Sequence, residues 1–246
     1  MKRLRGQILL SVVLIALSAV LYVLQIRIFH SQRDTLFYLF QDLAFIPIQV
    51  LLVTVIVDQV LRIREKIAML NKLNMVIGTF FSEVGTRLLR SFSGFDHHFD
   101  QIRRNLIVTK DWRDLNFSKV AKDVGSYDYR LDYKRRDLNE LKTFLFSKRD
   151  FLLRLLENQN LLEHESFTDL LWAVFHLTEE LEARENLAQL SKPDGEHIAG
   201  DMRRAYGLLI VQWLAYMKHL KKEYPYLFSL AVRTNPFDPD VSVVVK

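Results

Sequence analysis

The sequence predicts an all-α protein: a transmembrane helical hairpin, then a cytosolic α-helical bundle, with the second span continuing as one long helix. Three observations carry this. Ile8–Ile26 is an uncharged run of 19 residues, and a second apolar segment, Leu36–Leu61, follows at once. From Val60 onward apolar residues recur at alternating steps of three and four. Strand-like alternation is confined to Val241–Val245 at the far end. The chain has 246 residues, 50% of them hydrophobic, and a net charge of +5. That composition excludes a disordered polymer. With no cysteine, disulfides, thiolate metal sites and a cysteine nucleophile are excluded.

The first span, residues 8–26, is close to the roughly 20 residues that cross about 30 Å of hydrocarbon. Met1-Lys2-Arg3-Leu4-Arg5 before it, with Ala16-Leu17-Ser18 inside it, also fits a secretory leader. The run exceeds the usual h-region of about 7–15 residues, however, which favours a retained helix. The second span, 36–61, has an apolar centre from Leu43 to Val57, interrupted by Pro47 and Gln49, with Asp42 and Asp58 at the two ends of that centre. Lys2, Arg3 and Arg5 precede the pair, and Arg62, Arg64, Lys66 and Lys72 follow it, with only Arg27 and Arg33 near the short loop. The positive-inside rule then puts both termini in the cytoplasm and the protein in the inner (plasma) membrane. Arg27 and Asp42 lie equally far from the loop midpoint, so they are either an ion pair or two independently hydrated charges. Asp58 has Arg62 as an i,i+4 partner. Asp42 and Gln49 fall seven residues apart on one face.

The juxtamembrane segment, 63–93, continues the second helix. Val60, Ile63, Ile67, Leu70, Asn74, Ile77, Phe81, Val84 and Leu88 form an a/d heptad seam, with Asn74 its polar member. Its length is about 42 Å at 1.5 Å per residue. This helix is expected either to pack within the cytosolic bundle or to join a second copy along the seam as a homo-oligomeric coiled coil, and the two can coexist with one stripe serving each. Met69, Leu73, Val76 and Phe80 add a second apolar stripe, the width expected of a helix buried in a bundle. Gly78 and Gly85 share a face and would admit a close neighbouring helix.

Over Glu65–Thr86, EKIAMLNKLNMVIGTFFSEVGT, the chain resembles a group of uncharacterised bacterial and archaeal two-span membrane proteins. The likeness covers the second span and this segment, about a quarter of the sequence. It implies a topology and names no catalytic residue.

Residues 94–235 read as successive helices. Phe95–Val108 and Leu115–Val124 are short candidates, and Gly125-Ser126 stops the second. Asp137–Asn158 follows, with a restart signal at Ser147 and Asp150. Ser166–Asp169 resembles a capping box for a helix reaching Glu185. Ser191 with Pro193 opens another that ends before Pro225. Residues 236–246 read as a C-terminal tail.

Charge is segregated: residues 102–154 carry 14 basic and 8 acidic side chains, and residues 155–201 carry 2 and 11. A basic-aromatic cluster, Arg130, Lys134, Arg135 and Arg136 among Tyr127, Tyr129 and Tyr133, is a candidate contact for anionic lipid. Asp128, Asp132 and Asp137 dilute it, and no nucleic-acid partner is expected. Phosphate-loop, GxSxG, HExxH and EF-hand signatures do not occur. His97 with Asp100, and His176 with Glu179 or Glu180, are the nearest approaches to a ligand set. The Glu-x-x-His repeat of helical di-metal sites is missing, and His164 and His197 read as surface residues. No enzyme activity, metal or cofactor is therefore assigned, and a metal-dependent or hydrolytic activity stands as a third reading, behind an anchor and a channel. The expected role is an anchor: lipid bilayer and a second copy as partners, an unidentified protein partner allowed for, and interaction or signalling as function. The alternative is an oligomeric channel or transport component lined by Asp42 and Gln49.

Overall fold

The computed structural model describes residues 2–29, 32–158, 161 and 164–244; the side chains of 2–12, 14, 15, 29 and 32 lie outside that description. Among the described residues the protein is all-α, with one isolated bridge, Asp96 to Leu131, as its only β pairing. The chain divides into two compact units, one ending at Lys66 and the other beginning at Ile67.

The N-terminal unit contains α1 (Lys2–Phe29) and the first part of α2 (Gln32–Phe80). Apolar side chains along α2 are exposed within it: Leu43, Leu51 and Val57 are 60%, 67% and 49% accessible. Pro47 lies inside the helix without ending it, and the backbone stays helical past Leu61. Side chains of the first expected span at 8–12, 14 and 15 lie outside the described residues.

In the C-terminal unit the same helix becomes amphipathic and turns its apolar side inward. Leu73, Ile77 and Phe80 are buried. A π-helical turn, Phe81–Gly85, joins α2 to α3 (Thr86–Phe95). Such a turn fits one extra residue into the helix, so adjacent Phe80 and Phe81 both reach the interior. Phe80 meets Phe167 edge-on at 5.4 Å, and Phe81 stacks on Tyr216 at 5.1 Å. The nine-residue seam is therefore divided. Val60, Ile63, Ile67 and Leu70 are exposed and Asn74 is half-buried. Ile77, Phe81, Val84 and Leu88 are interior to this unit and cannot meet a second chain. Their heptad spacing is equally the spacing of a helix packed within its own domain. Gly78 does admit a close neighbour: a Cβ there would lie 3.2 Å from the Tyr216 hydroxyl. Gly85 instead makes room for its own helix, since a Cβ would come within 2.5 Å of the Phe81 ring.

After α3 the backbone leaves helical geometry at Asp96, so the helix expected over 95–108 is reduced to α4 (Phe99–Arg103) and a 3-10 turn, Arg104–Leu106. The bridge explains the break: the His97 N–H donates to the Arg130 carbonyl, and the Asp132 N–H to that of Phe95. α5 spans Asp114–Gly125. The expected helix over 137–158 is two, α6 (Leu138–Ser147) and α7 (Arg149–Leu156), separated at Lys148. Asp137 caps α6 by accepting from the Asn139 N–H at 2.8 Å. α8 (Glu165–Glu182) is capped by His164, whose Nδ1 accepts from the Phe167 N–H, rather than by the Ser166 signal. A connector with a 3-10 turn, Leu187–Gln189, leads to α9 (Lys192–Glu223), where Ser191 caps and Pro193 sits in the first turn as expected. α10 (Pro225–Arg233) begins on the proline that stops α9.

α8 and α9 pack antiparallel at the centre, with α3, α5 and α10 against α9 and with α6 and α7 against α8. Arg149 of the basic stretch pairs with Glu182 of the acidic one at 3.4 Å. Phe237, in the expected tail, is buried against Trp213, and buried Asn235 donates to the Leu106 carbonyl at 2.9 Å. Residues 241–244 form no strand, and Val245 lies outside the described residues.

Phe80→Ala should cost about 3–5 kcal/mol, the range for emptying a buried phenylalanine site. Val60→Ala should stay within about 0.5 kcal/mol for the folding of the C-terminal unit. Denaturant unfolding of the full chain in detergent, followed by tryptophan fluorescence, separates the two.

Candidate functional site

Polar residues in the N-terminal unit are sparse. The Tyr22 hydroxyl donates to Asp42 Oδ2 at 3.4 Å, so the partner of Asp42 is a phenol. Arg27 is exposed and makes no ion pair among the described residues. Asp58 and Arg62 pair at 2.9 Å across one helical turn, as their spacing predicts. Both are largely exposed, so the pair adds little stability. Gln49 is exposed.

The basic-aromatic segment serves the fold more than its sequence suggests. Arg135 donates to the Asp96 carbonyl at 2.6 Å, Arg130 pairs with Asp128 at 3.2 Å, and the Lys134 ammonium lies 5.5 Å from the Tyr133 ring. Arg136 packs over Gly94. Arg130, Lys134 and Arg136 retain exposed side chains, whereas the guanidinium of Arg135 is committed to the bridge region. Beneath them Asp96 is buried at 1% exposure. Its Oδ1 accepts from the His98 N–H at 2.9 Å, and its Oδ2 has no hydrogen-bond partner. Burial raises the Asp96 carboxyl above its ordinary value of 3.8, against opposing pulls from His98, Arg130 and Arg135. Burial likewise raises Tyr127, Tyr129 and Tyr206, and the charge of Asp96 adds to each.

A second polar group lies on the antiparallel α8–α9 pair. His176 and Glu180 occupy successive turns of α8, and His197 and Asp201 successive turns of α9. Asp201 Oδ2 is 3.5 Å from His176 Nε2 and 3.3 Å from His197 Nε2. Ligand atoms of these three residues all fall within 4.8 Å of one another. Glu180 borders the group, 3.8 Å from His176 Nε2 and 3.5 Å from His197 Nε2. Arg184 holds Glu180 at 2.6 Å and Asp194 at 2.6 Å, tying the end of α8 to the start of α9. Through that hydrogen bond Arg184 lowers the Glu180 carboxyl. Spacing along the sequence groups His176 with Glu179 or Glu180 and leaves His197 at the surface; the local signal that links them is a repeated His-x-x-x-acid spacing, HLTEE and HIAGD, on consecutive helices.

The architecture defines an all-α protein of two helical units, the first a pair of apolar helices and the second a helical domain. The chain belongs to the family of the uncharacterized protein MJ1433: residues 2–61 match its N-terminal helical domain and residues 69–233 its C-terminal helical domain. It is 45% identical over 242 residues to uncharacterized protein MJ1433 of Methanocaldococcus jannaschii, covering 98% of this chain and 97% of that one. No solved structure matches. The relationship thus extends over nearly the whole chain, beyond the quarter carried by the Glu65–Thr86 likeness.

The Asp96 shift has a stability consequence. The folded chain holds this proton more tightly than the unfolded one, so stability falls as pH rises from 3.8 through the raised value. Asp96→Asn keeps the acceptor for His98 and removes the charge. Thermal unfolding in detergent should give the variant a higher Tm than wild type at pH 7, converging on it as pH approaches 3.8.

Proposed function

We propose that the chain is an integral membrane protein whose helical hairpin holds the C-terminal helical domain at the inner leaflet, and that it self-associates along the exposed part of α2. The observation that carries this reading is the surface of α2. From Leu43 to Val57 it carries no charge, and every side chain along that stretch is exposed. In water such a face would far exceed the few hundred Å² that monomers ordinarily expose. Hydrocarbon covers it at no such cost, and a helix satisfies its own amides there. Ala16–Ile28 supplies a second apolar helical stretch, and the Tyr22–Asp42 hydrogen bond joins the two helices. The basic residues at the start of α1, Lys2, Arg3 and Arg5, and those after Leu61 favour cytoplasmic ends.

Val60, Ile63, Ile67 and Leu70 follow the span at a/d spacing with Arg64, Glu65 and Lys66 between them. Such a pattern is self-complementary, which argues for a second copy as occupant. The domain behind it offers helix surfaces for interaction or signalling, and no enzyme activity is assigned to it.

Because the chain lacks cysteine, single cysteines report cleanly. The protein should stay in the membrane pellet after alkaline carbonate extraction; release into the supernatant would overturn the anchor. Oxidative crosslinking in membranes should give more dimer from Ile63→Cys and Ile67→Cys than from Glu65→Cys. Equal yields would remove the seam.

A further inference from the structure

A carboxylate in the interior needs donors or a cation, since an unpaired buried charge is costly. Asp201 is 4% exposed, and its Oδ2 is buried without a hydrogen bond. Two imidazoles stand beside that oxygen, at 3.3 and 3.5 Å, yet neither donates to it. An ordinary His–Asp ion pair would aim a ring N–H at the oxygen. What remains is convergence: two ring nitrogens and a carboxylate oxygen surrounding a common point. For ligand bonds of about 2.0–2.1 Å, a tetrahedral ion sets neighbouring ligand atoms about 3.3–3.4 Å apart. The two nitrogen–oxygen separations, 3.3 and 3.5 Å, are close to that edge length, and all three donor residues offer ligand atoms within 4.8 Å of one another.

We propose that His176 Nε2, His197 Nε2 and Asp201 Oδ2 bind a divalent first-row transition-metal ion. The donor set selects the class. Two imidazoles with one carboxylate suit zinc, iron, cobalt or nickel, whereas calcium and magnesium take oxygen ligands. The i,i+4 spacing on each helix brings a histidine and an acid to one face, and antiparallel packing of α8 on α9 sets the two faces opposite. The imidazoles are half-exposed, 44% for His176 and 53% for His197, so the ion has an entrance and a fourth position open to water. Glu180 borders that position. Arg184 holds its Oε2, leaving it as acceptor for a metal-bound water more than as a strong ligand. Arg204 Nη1 lies 3.8 Å from the other oxygen of Asp201. The ion would clamp α8 to α9 beside the Arg184 bridge.

The test uses untagged full-length protein in detergent, stripped with chelator and titrated with Co²⁺. Wild type should bind one Co²⁺ per chain with the visible absorption of a low-coordinate site, and Zn²⁺ should bleach that absorption. His197→Ala removes a half-exposed ligand and should weaken Co²⁺ binding by about 100-fold or more, beyond the 10–100-fold cost of losing an outer-shell partner. His97→Ala, an exposed histidine elsewhere, should bind like wild type. Zn²⁺ should raise the Tm of wild type and leave that of His197→Ala unmoved. The absence of Co²⁺ absorption in wild type, or equal affinity in His197→Ala, would overturn the site. Circular dichroism checks that each variant is folded.

Discussion

A helix 32 residues long with Ile198, Met202, Leu209, Trp213, Met217 and Leu220 all in the interior cannot be satisfied by one neighbour. Each such side chain contributes about 1.5–3 kcal/mol only if it is fully removed from water. α3, α5, α8 and α10 therefore gather around α9, and the C-terminal unit takes its form from that requirement. Asp201 is the one charged residue among the buried positions described on this helix. In a stripe otherwise apolar apart from Gln212, it is a local violation of the rule that builds the domain, and violations of that kind concentrate where a protein does something besides fold.

The α2 helix meets two opposite demands along its length. Between Leu36 and Leu61 its apolar side chains find no protein to cover them. From Leu73 to Phe80 they turn into the domain, where Phe80 meets Phe167 of α8 and Gly78 lies beside Tyr216 of α9. One sequence pattern, apolar residues three and four apart, underlies both. The burial of the segment from Leu73 onward is a property of the C-terminal unit, whereas the segment from Leu36 to Leu61 stays exposed within its own unit.

Much of the fold could be read from the residues. Ser191 with Pro193, the restart at Ser147 and Asp150, and the Gly125-Ser126 stop each mark a local backbone choice, and each appears as an element end. What escaped depends on distant partners. Asp96 leaves the helix because the backbone beside Leu131 is available for pairing, and nothing within Phe95–Val108 announces that. His164 caps α8 in place of Ser166 because of where the Leu161 region places it. The inner half of the seam could not be told from a coiled coil, since both present the same spacing. The His176–Asp201 grouping was half legible: the i,i+4 pairs are local, but their meeting depends on the antiparallel return of α9.

The π-helical turn at Phe81–Gly85 carries a further meaning for how this family's sequences can differ. A residue inserted into an ordinary helix rotates everything after it by about 100°, which a buried helix does not survive. Here the surplus residue is absorbed within one widened turn, with exposed Ser82 and Glu83 at its outer edge. Losing one residue at that edge would tighten the turn to α geometry and leave Leu88 buried and Phe92 against Tyr206 of α9 as before. The chain thus has a place inside its core where its length can change by one while both flanking faces hold still, so a gap between relatives at Ser82 need not mark any difference in fold.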